Sequence, residues 1–220
     1  IYLAVASPNE ADPHTLVVLP PGATECDCAS CSQTIDLHPG LSPRAVTSQH
    51  DTLLIGGAGT HLLQTWNIET GNVPKFGTAF SEGSLGAITA IDHIVVRSQW
   101  VFLVGPGEVN GNTRVLKVGL SDVKAGVIMN PESIEIPPSS QQEDLMEVIH
   151  AVGVASDGTL YALQGPSDLA TVASPFNLIH IDGSDGELII ESVPVNHYNS
   201  DAVTPRGLTI VNDVVLIVDP

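Results

Sequence analysis

The sequence predicts an all-β fold assembled from one strand unit repeated along the chain. Five apolar runs share a pattern: residues 2–8 read YLAVASP, 51–57 DTLLIGG, 100–106 WVFLVGP, 158–166 GTLYALQGP and 213–220 DVVLIVDP. Each is short, rich in β-branched residues and closed by Gly, Pro or Asp, which is how a strand buried on both faces reads. With Tyr2, Thr52, Trp100, Thr159 and Val214 as equivalent points, the runs recur at steps of 50, 48, 59 and 55 residues. Turn residues punctuate the intervals, and only the window 138–150 could hold an amphipathic helix, so helix should stay below about 10% of the chain.

A repeat of roughly 40 to 50 residues with several short strands per unit is the range of β-propeller blades, lengthened where loops carry insertions. The expectation is a single propeller domain over residues 1–220 with about four to five blades, or a segment of a larger propeller. Its units fall near 1–40, 41–85, 86–145 and 146–200, with 201–220 completing a blade. Both terminal runs are too apolar to be exposed edges. They are expected to be buried in sheet, against each other across a ring closure or against a second polypeptide.

The chain enters directly on the strand at Ile1 to Ser7. A Pro- and Asp-rich loop leads to a strand over 14–19, and a Cys-bearing loop leads to a short one over 34–37. The second unit pairs 44–48 with 52–55 across Gln49, His50 and Asp51, passes Gly56-Gly57-Ala58-Gly59 as a loop, and adds a strand over 62–68 before the turn Glu69-Thr70-Gly71-Asn72. The third unit has an inner strand within 87–96, then 100–104 and 114–118, followed by a long polar link through Pro137 and Pro138. The fourth is the clearest: 151–155, 159–163, 178–181 and 188–191, separated by Ser156-Asp157-Gly158 and by the turn over 182–186, with 167–175 as an insertion. The last unit offers 207–211 and 214–218.

Composition narrows the function. Lys and Arg number 7 against 25 Asp and Glu, a formal charge of −18. That balance argues against nucleic acid and against anionic membrane, both of which need clustered cations. Cationic ligands, divalent metals or basic protein partners stay open. The longest apolar runs fall far short of the roughly 18 residues a membrane span needs. Three cysteines, all within 26–31, exclude a disulfide framework as the source of stability. The acidity and the start at Ile1, without a leader, lead us to expect a secreted, periplasmic or cell-surface protein.

In the fourth unit an apolar strand is followed by S-D-G, T-L-Y-A-L, a loop, N-L-I-H-I-D-G and E-L-I-I. This pattern resembles blades of the propeller group that includes NHL-repeat, lactonase-like and surface-layer propellers. The resemblance extends over nearly the whole chain, and it implies blades rather than a substrate. The WD dipeptide is missing from every unit, so WD40 repeats are disfavoured.

Chemistry concentrates at Glu25-Cys26-Asp27-Cys28-Ala29-Ser30-Cys31, followed by His38. Cys26, Cys28, Cys31 and His38 are the candidate ligands of a closed Cys3His site for a soft metal such as zinc. The alternatives are a local Cys26–Cys31 disulfide with one spare thiol, or free thiols. The other histidines are His14, His50, His61, His93, His150, His180 and His197. Glu147 and His150 precede an inner strand and could face an axial channel, while His197, Asp201 and Arg206 crowd the loop before the last unit as a rim site. No G-x-S-x-G occurs, and neither Gly-rich stretch is a phosphate loop.

Two functions follow. The first is an extracytoplasmic binding or assembly module that presents loop surfaces to a protein or small ligand, or to a second chain that completes the propeller. The second, implied by the lactonase-like resemblance, is a hydrolase with Ca2+ or Zn2+ in the channel polarising an ester carbonyl. Its candidate ligands, Asp92, Glu147, Asp201 and Asn212, do not recur at one strand offset, so the binding reading is preferred.

Overall fold

The structure is a computed structural model. It describes residues 2–5, 7, 14–18, 33–68, 85, 88–107, 112–128, 131–137, 147–167, 176–182, 189–195 and 207–218. Cys26, Cys28, Cys31, His197, Asp201 and Arg206 lie outside them, as do the turn 69–72 and most of the helical window 138–150.

The described residues are almost entirely strand, in five antiparallel sheets. β1 (Tyr2–Val5), β2 (Thr15–Val18) and β3 (Gln33–Asp36) form the first, and β4 (Ser42–Gln49), β5 (Thr52–Ala58) and β6 (Leu63–Asn67) the second. The third holds β7 (His93–Arg97), β8 (Trp100–Pro106), β9 (Thr113–Gly119) and β10 (Glu132–Ile136). The fourth holds β11 (Glu147–Val154), β12 (Leu160–Pro166), β13 (Phe176–Asp182) and β14 (Ile189–Val195). β15 (Gly207–Val211) pairs with β16 (Val214–Val218) as the fifth. In every sheet sequence neighbours pair, which is the meander that short, turn-separated apolar runs produce.

The chain divides into two compact units, Ile1–Val104 with Leu116–Glu132, and Gly105–Val115 with Ser133–Pro220. In the first unit the run at 51–57 is buried on both faces. Leu54 of β5 enters a core with Leu62, Leu63, Ile88, Ile91, Leu103 and Val123. Its neighbours Leu53 and Ile55, on the opposite face, enter a second core with Leu16, Leu37, Leu41 and Trp66. The first strands of successive sheets adjoin: β1 packs beside β4, and β4 beside β7. An isolated antiparallel bridge also ties Ala58 to Ala90. In the second unit β15 packs on β11. There Gly153 leaves room for the next sheet, since a Cβ on it would lie 2.7 Å from Leu208 Cδ2 and 3.1 Å from Ile210 Cδ1.

Several local expectations are corrected. Glu147 and His150 do not precede an inner strand but lie within it. The β11–β12 register shifts between Ile149 and Ala151, leaving His150 as the bulge residue and letting apolar side chains run through on both sides. Gly56 and Gly57 are strand, not loop. β10 occupies the polar link after Arg114 to Val118, where ESIEI alternates polar and apolar residues. The helix among the described residues is α1 (Leu120–Ala125), which buries Leu120 and Val123 and ends at Gly126 with φ 74°. Six residues are too few for a periodicity window to register. No described helix is long and apolar enough to cross a membrane.

Within this chain the last strand is exposed on one face. Val211 is 50% exposed, Val214 57% and Leu216 46%. Among the described residues β16 pairs with β15 alone, and alternation sends Val211, Val214 and Leu216 to the face opposite Leu208 and Ile210.

Candidate functional site

In the first unit the link after β3 is clasped against the β5–β6 loop. His61 N–H donates to Gly40 O at 3.0 Å, and His38 N–H donates to Gln64 Oε1 at 3.1 Å. Gly40 N–H donates to His38 Nδ1 at 3.2 Å, and the His38 and His61 rings meet at 3.7 Å between centroids. Thr60 Oγ1 lies 3.2 Å from His61 Nδ1. A Cβ at Gly40 would fall 2.1 Å from Thr60 Oγ1 and 2.8 Å from His61 Nδ1, so those two side chains would have to turn aside. In the β2–β3 register Asp36 faces Thr15 and Gln33 faces Val18, so His38 follows the end of the pair remote from Val18 and Gln33, which residues 19–32 connect. His61, the neighbour the structure gives His38, had no signal in spacing, since 22 positions of chain separate the two.

Asp92 stands at the start of β7 in an ion pair with Arg44 of β4, at 2.8 Å. Further along the unit Lys117, 7% exposed at its side chain, lies 3.4 Å from Glu132 and 4.7 Å from the Trp100 ring centroid. Lys124 and Asp51 pair at 2.8 Å on the surface. The Lys124 ammonium, and after it the Thr52 hydroxyl, hold the Asp51 carboxyl below its ordinary value.

In the second unit the polar residues gather at the end of the sheet where β11 begins. His150 Nε2 is 3.0 Å from Pro166 O, and its ring tilts against Phe176 at 5.4 Å. Glu147 opposes Pro166 in the ladder. Gln164, 2% exposed, donates from Nε2 to Pro137 O at 3.1 Å, and Asn177, 7% exposed, faces it on β13. The remaining channel candidate, Asn212, sits in the β15–β16 turn at the other end. Its neighbour Asp213 accepts from Ser156 N–H at 2.8 Å and from Ser156 Oγ at 2.7 Å, just past the last residue of β11. Glu147 and Asn212 are thus separated by the length of β11, roughly 20 Å. In the ladder Glu147 is two positions from Ile149, which faces Gln164, and the structure does not bring it to Asn212. Among the described residues no three His, Cys, Asp or Glu side chains converge. A glutamine inside the otherwise apolar run LYALQGP was the one sequence signal for Gln164.

No protein-family model matches the chain, and no curated protein matches it. Among solved structures it is similar to the hydrazine synthase of Kuenenia stuttgartiensis, at 13% identity over 96% of this chain and 56% of that one, with TM-score 0.59. It is also similar to a quinoprotein alcohol dehydrogenase-like protein from Bacteroides thetaiotaomicron, at 13% identity over 99% of this chain and 46% of that one, with TM-score 0.51. Both are β-propeller folds. This chain has the β-propeller fold. It spans about half the length of the propellers it matches. At 13% identity the likeness carries architecture and no chemistry.

Proposed function

We propose that this propeller chain is a binding and assembly module rather than a catalyst, working outside the cytoplasm. The observation that supports it is the apolar face of β15–β16. Val211, Val214 and Leu216 stand 46 to 57% exposed, side by side on one face of a two-stranded sheet. β16 reads VVLIV, with no charge, proline or bulge of the kind that protects edge strands. A contiguous apolar surface on a chain of charge −18 is a contact surface. In the working protein a second polypeptide packs on this face, and the open edge of β16 is where it can add a strand. The hydrolase reading draws no support, because Glu147 and Asn212 lie at opposite ends of β11 and Asp92 is engaged by Arg44. The acidic composition supports an extracytoplasmic place.

The test is light scattering after gel filtration, with a parallel assay for lactone and ester turnover in calcium or zinc. Without its partner the wild-type chain should self-associate with rising concentration, and Val214→Lys with Leu216→Lys should be monomeric at an unchanged Tm. A wild-type chain that stays monomeric at all concentrations, or metal-dependent turnover, overturns the reading.

A further inference from the structure

The charge of this chain is unevenly divided. The second unit has 14 Asp and Glu against two cationic residues, Arg114 and Arg206, which gives it a formal −12 of the chain's −18. Arg114 is engaged by Glu135 at 2.8 Å, and residues 125–205 contain no Lys or Arg. The exposed apolar face belongs to this acidic unit, since β15 and β16 lie within it. Carboxylates also stand at the turn that ends the face. Asn212 and Asp213 close the hairpin between Val211 and Val214, with φ 50° and 61°. Asp213 accepts from Ser156 N–H and Oγ, and the next residue, Asp157, is exposed and accepts from a neutral donor, the Thr159 N–H, at 2.9 Å. Asp157 and Asp213 thus set a negative rim at the Val211–Val214 end, whereas Arg206 precedes β15 at the other end in sequence.

We propose that the polypeptide packing on this face is cationic: an apolar segment interleaved with lysine or arginine, its charges directed to the end of the face that Asp157 and Asp213 rim. This rests on the binding reading above and names the chemistry of its partner. A second copy of this chain would bring a further −18 to the same surface, so like charge opposes self-association, while an oppositely charged partner is steered to the face and held in register. Apolar contact alone accepts any hydrophobic segment, and the acidic surround is what selects among them. The VVLIV edge offers main-chain groups to an added strand, and an extended segment alternating apolar and basic residues can use both features at once.

Fluorescence anisotropy of labelled short peptides with the full 220-residue chain tests it, using three probes: lysine alternating with valine, glutamate alternating with valine, and an all-lysine peptide of the same charge as the first. The lysine–valine peptide should bind at least about tenfold tighter than the other two and weaken about tenfold between roughly 50 and 300 mM salt, whereas self-association of the chain should strengthen over that range. Val214→Ser with Leu216→Ser removes apolar surface and leaves the charge unchanged, so it should abolish the preference over all-lysine. Asp157→Asn should weaken the lysine–valine peptide about two- to fivefold at low salt. An all-lysine peptide bound as tightly as the lysine–valine one overturns the proposal, because any polycation then suffices. A glutamate–valine peptide bound as tightly, with both lost in the double serine variant, overturns the cationic partner and leaves the contact face standing. No binding of the lysine–valine peptide by a wild-type chain that still self-associates likewise overturns this proposal alone, while a chain that neither binds it nor self-associates overturns the binding reading as well.

Discussion

Replacing Gly57 with alanine should be among the most damaging single-methyl additions to this chain. Gly57 is in the middle of a sheet, donating from N–H to Leu62 O at 3.0 Å and accepting from Ile91 N–H at 2.9 Å. A Cβ there would lie 1.9 Å from Ser42 O, 2.7 Å from Ser42 C and 2.9 Å from Pro43 Cα. These are backbone atoms, so no rotamer relieves the clash, and β4 has to move by more than about 1 Å against β5. Overpacking a close-packed interior costs about 1–3 kcal/mol, and a rigid backbone obstacle belongs at the upper end, near 3 kcal/mol. For a chain of this size each kcal/mol lowers Tm by about 2–4 °C, which gives a drop of roughly 6 to 12 °C. Circular dichroism at a strand wavelength during heating measures it directly. Gly119→Ala is the matched control. Gly119 has φ −68°, and its added Cβ would meet only the rotatable Asp122 carboxylate at 2.9 Å, so its effect should stay below about 0.5 kcal/mol. Equal melting temperatures for the two variants would refute the packing of β4 on β5 described here.

Other substitutions separate core, surface and ion pairs. Leu54→Ala empties a fully buried position and should cost about 2–5 kcal/mol by chemical denaturation, against a negligible change for an alanine at the exposed Val127. Lys117→Met removes the cation between Glu132 and Trp100 and leaves a half-buried carboxylate behind, for a loss of about 2 kcal/mol that Glu132→Gln in the same chain should partly restore. For Asp51 the sign follows from its depressed carboxyl. A group whose value falls on folding adds stability above its unfolded value and loses it as the pH falls through the folded one. The gap in stability between wild type and Asp51→Asn should therefore be full at neutral pH and close below about pH 4, and added salt should narrow it at any pH. A gap that widens with acid would contradict the Lys124–Asp51 pair.

The runs at 51–57, 100–106 and 158–166 were legible because their strands, β5, β8 and β12, are central and buried on both faces, so sequence hydrophobicity and tertiary position agree. Gly56 and Gly57 misled because glycine marks either a turn or a close approach, and only the approach of Ile91 to Gly56 and of Ser42 to Gly57 tells the two apart. β10 was hidden because ESIEI is an outer strand, where one face is solvated and half the residues are polar. The apolar run of β16 reads like the others, yet what covers a strand is a property of its neighbours and is absent from its own residues. The site divides the same way. His38 was singled out by its distance along the chain from three cysteines, whereas its contact with His61 comes from two loops that meet only in the folded sheet. Gln164 could have been found as a polar residue at a core position, a local conflict of the kind that functional sites tolerate.

The packing of one sheet's end on the next sheet's entry is what makes this chain a propeller, and the Ala58–Ala90 bridge is where it can be measured. Cysteines at both positions, in a chain with Cys26, Cys28 and Cys31 replaced by serine, should oxidise to a single intramolecular disulfide, because antiparallel partners stand about 4.5–5.5 Å apart at Cα. Peptide mapping after mild oxidation should recover the 58–90 cross-link in most molecules, with Tm equal to or above that of the reduced chain. Two thiols that stay free under oxidant, or pair only between molecules, would show that consecutive sheets do not meet there and would contradict the propeller arrangement itself.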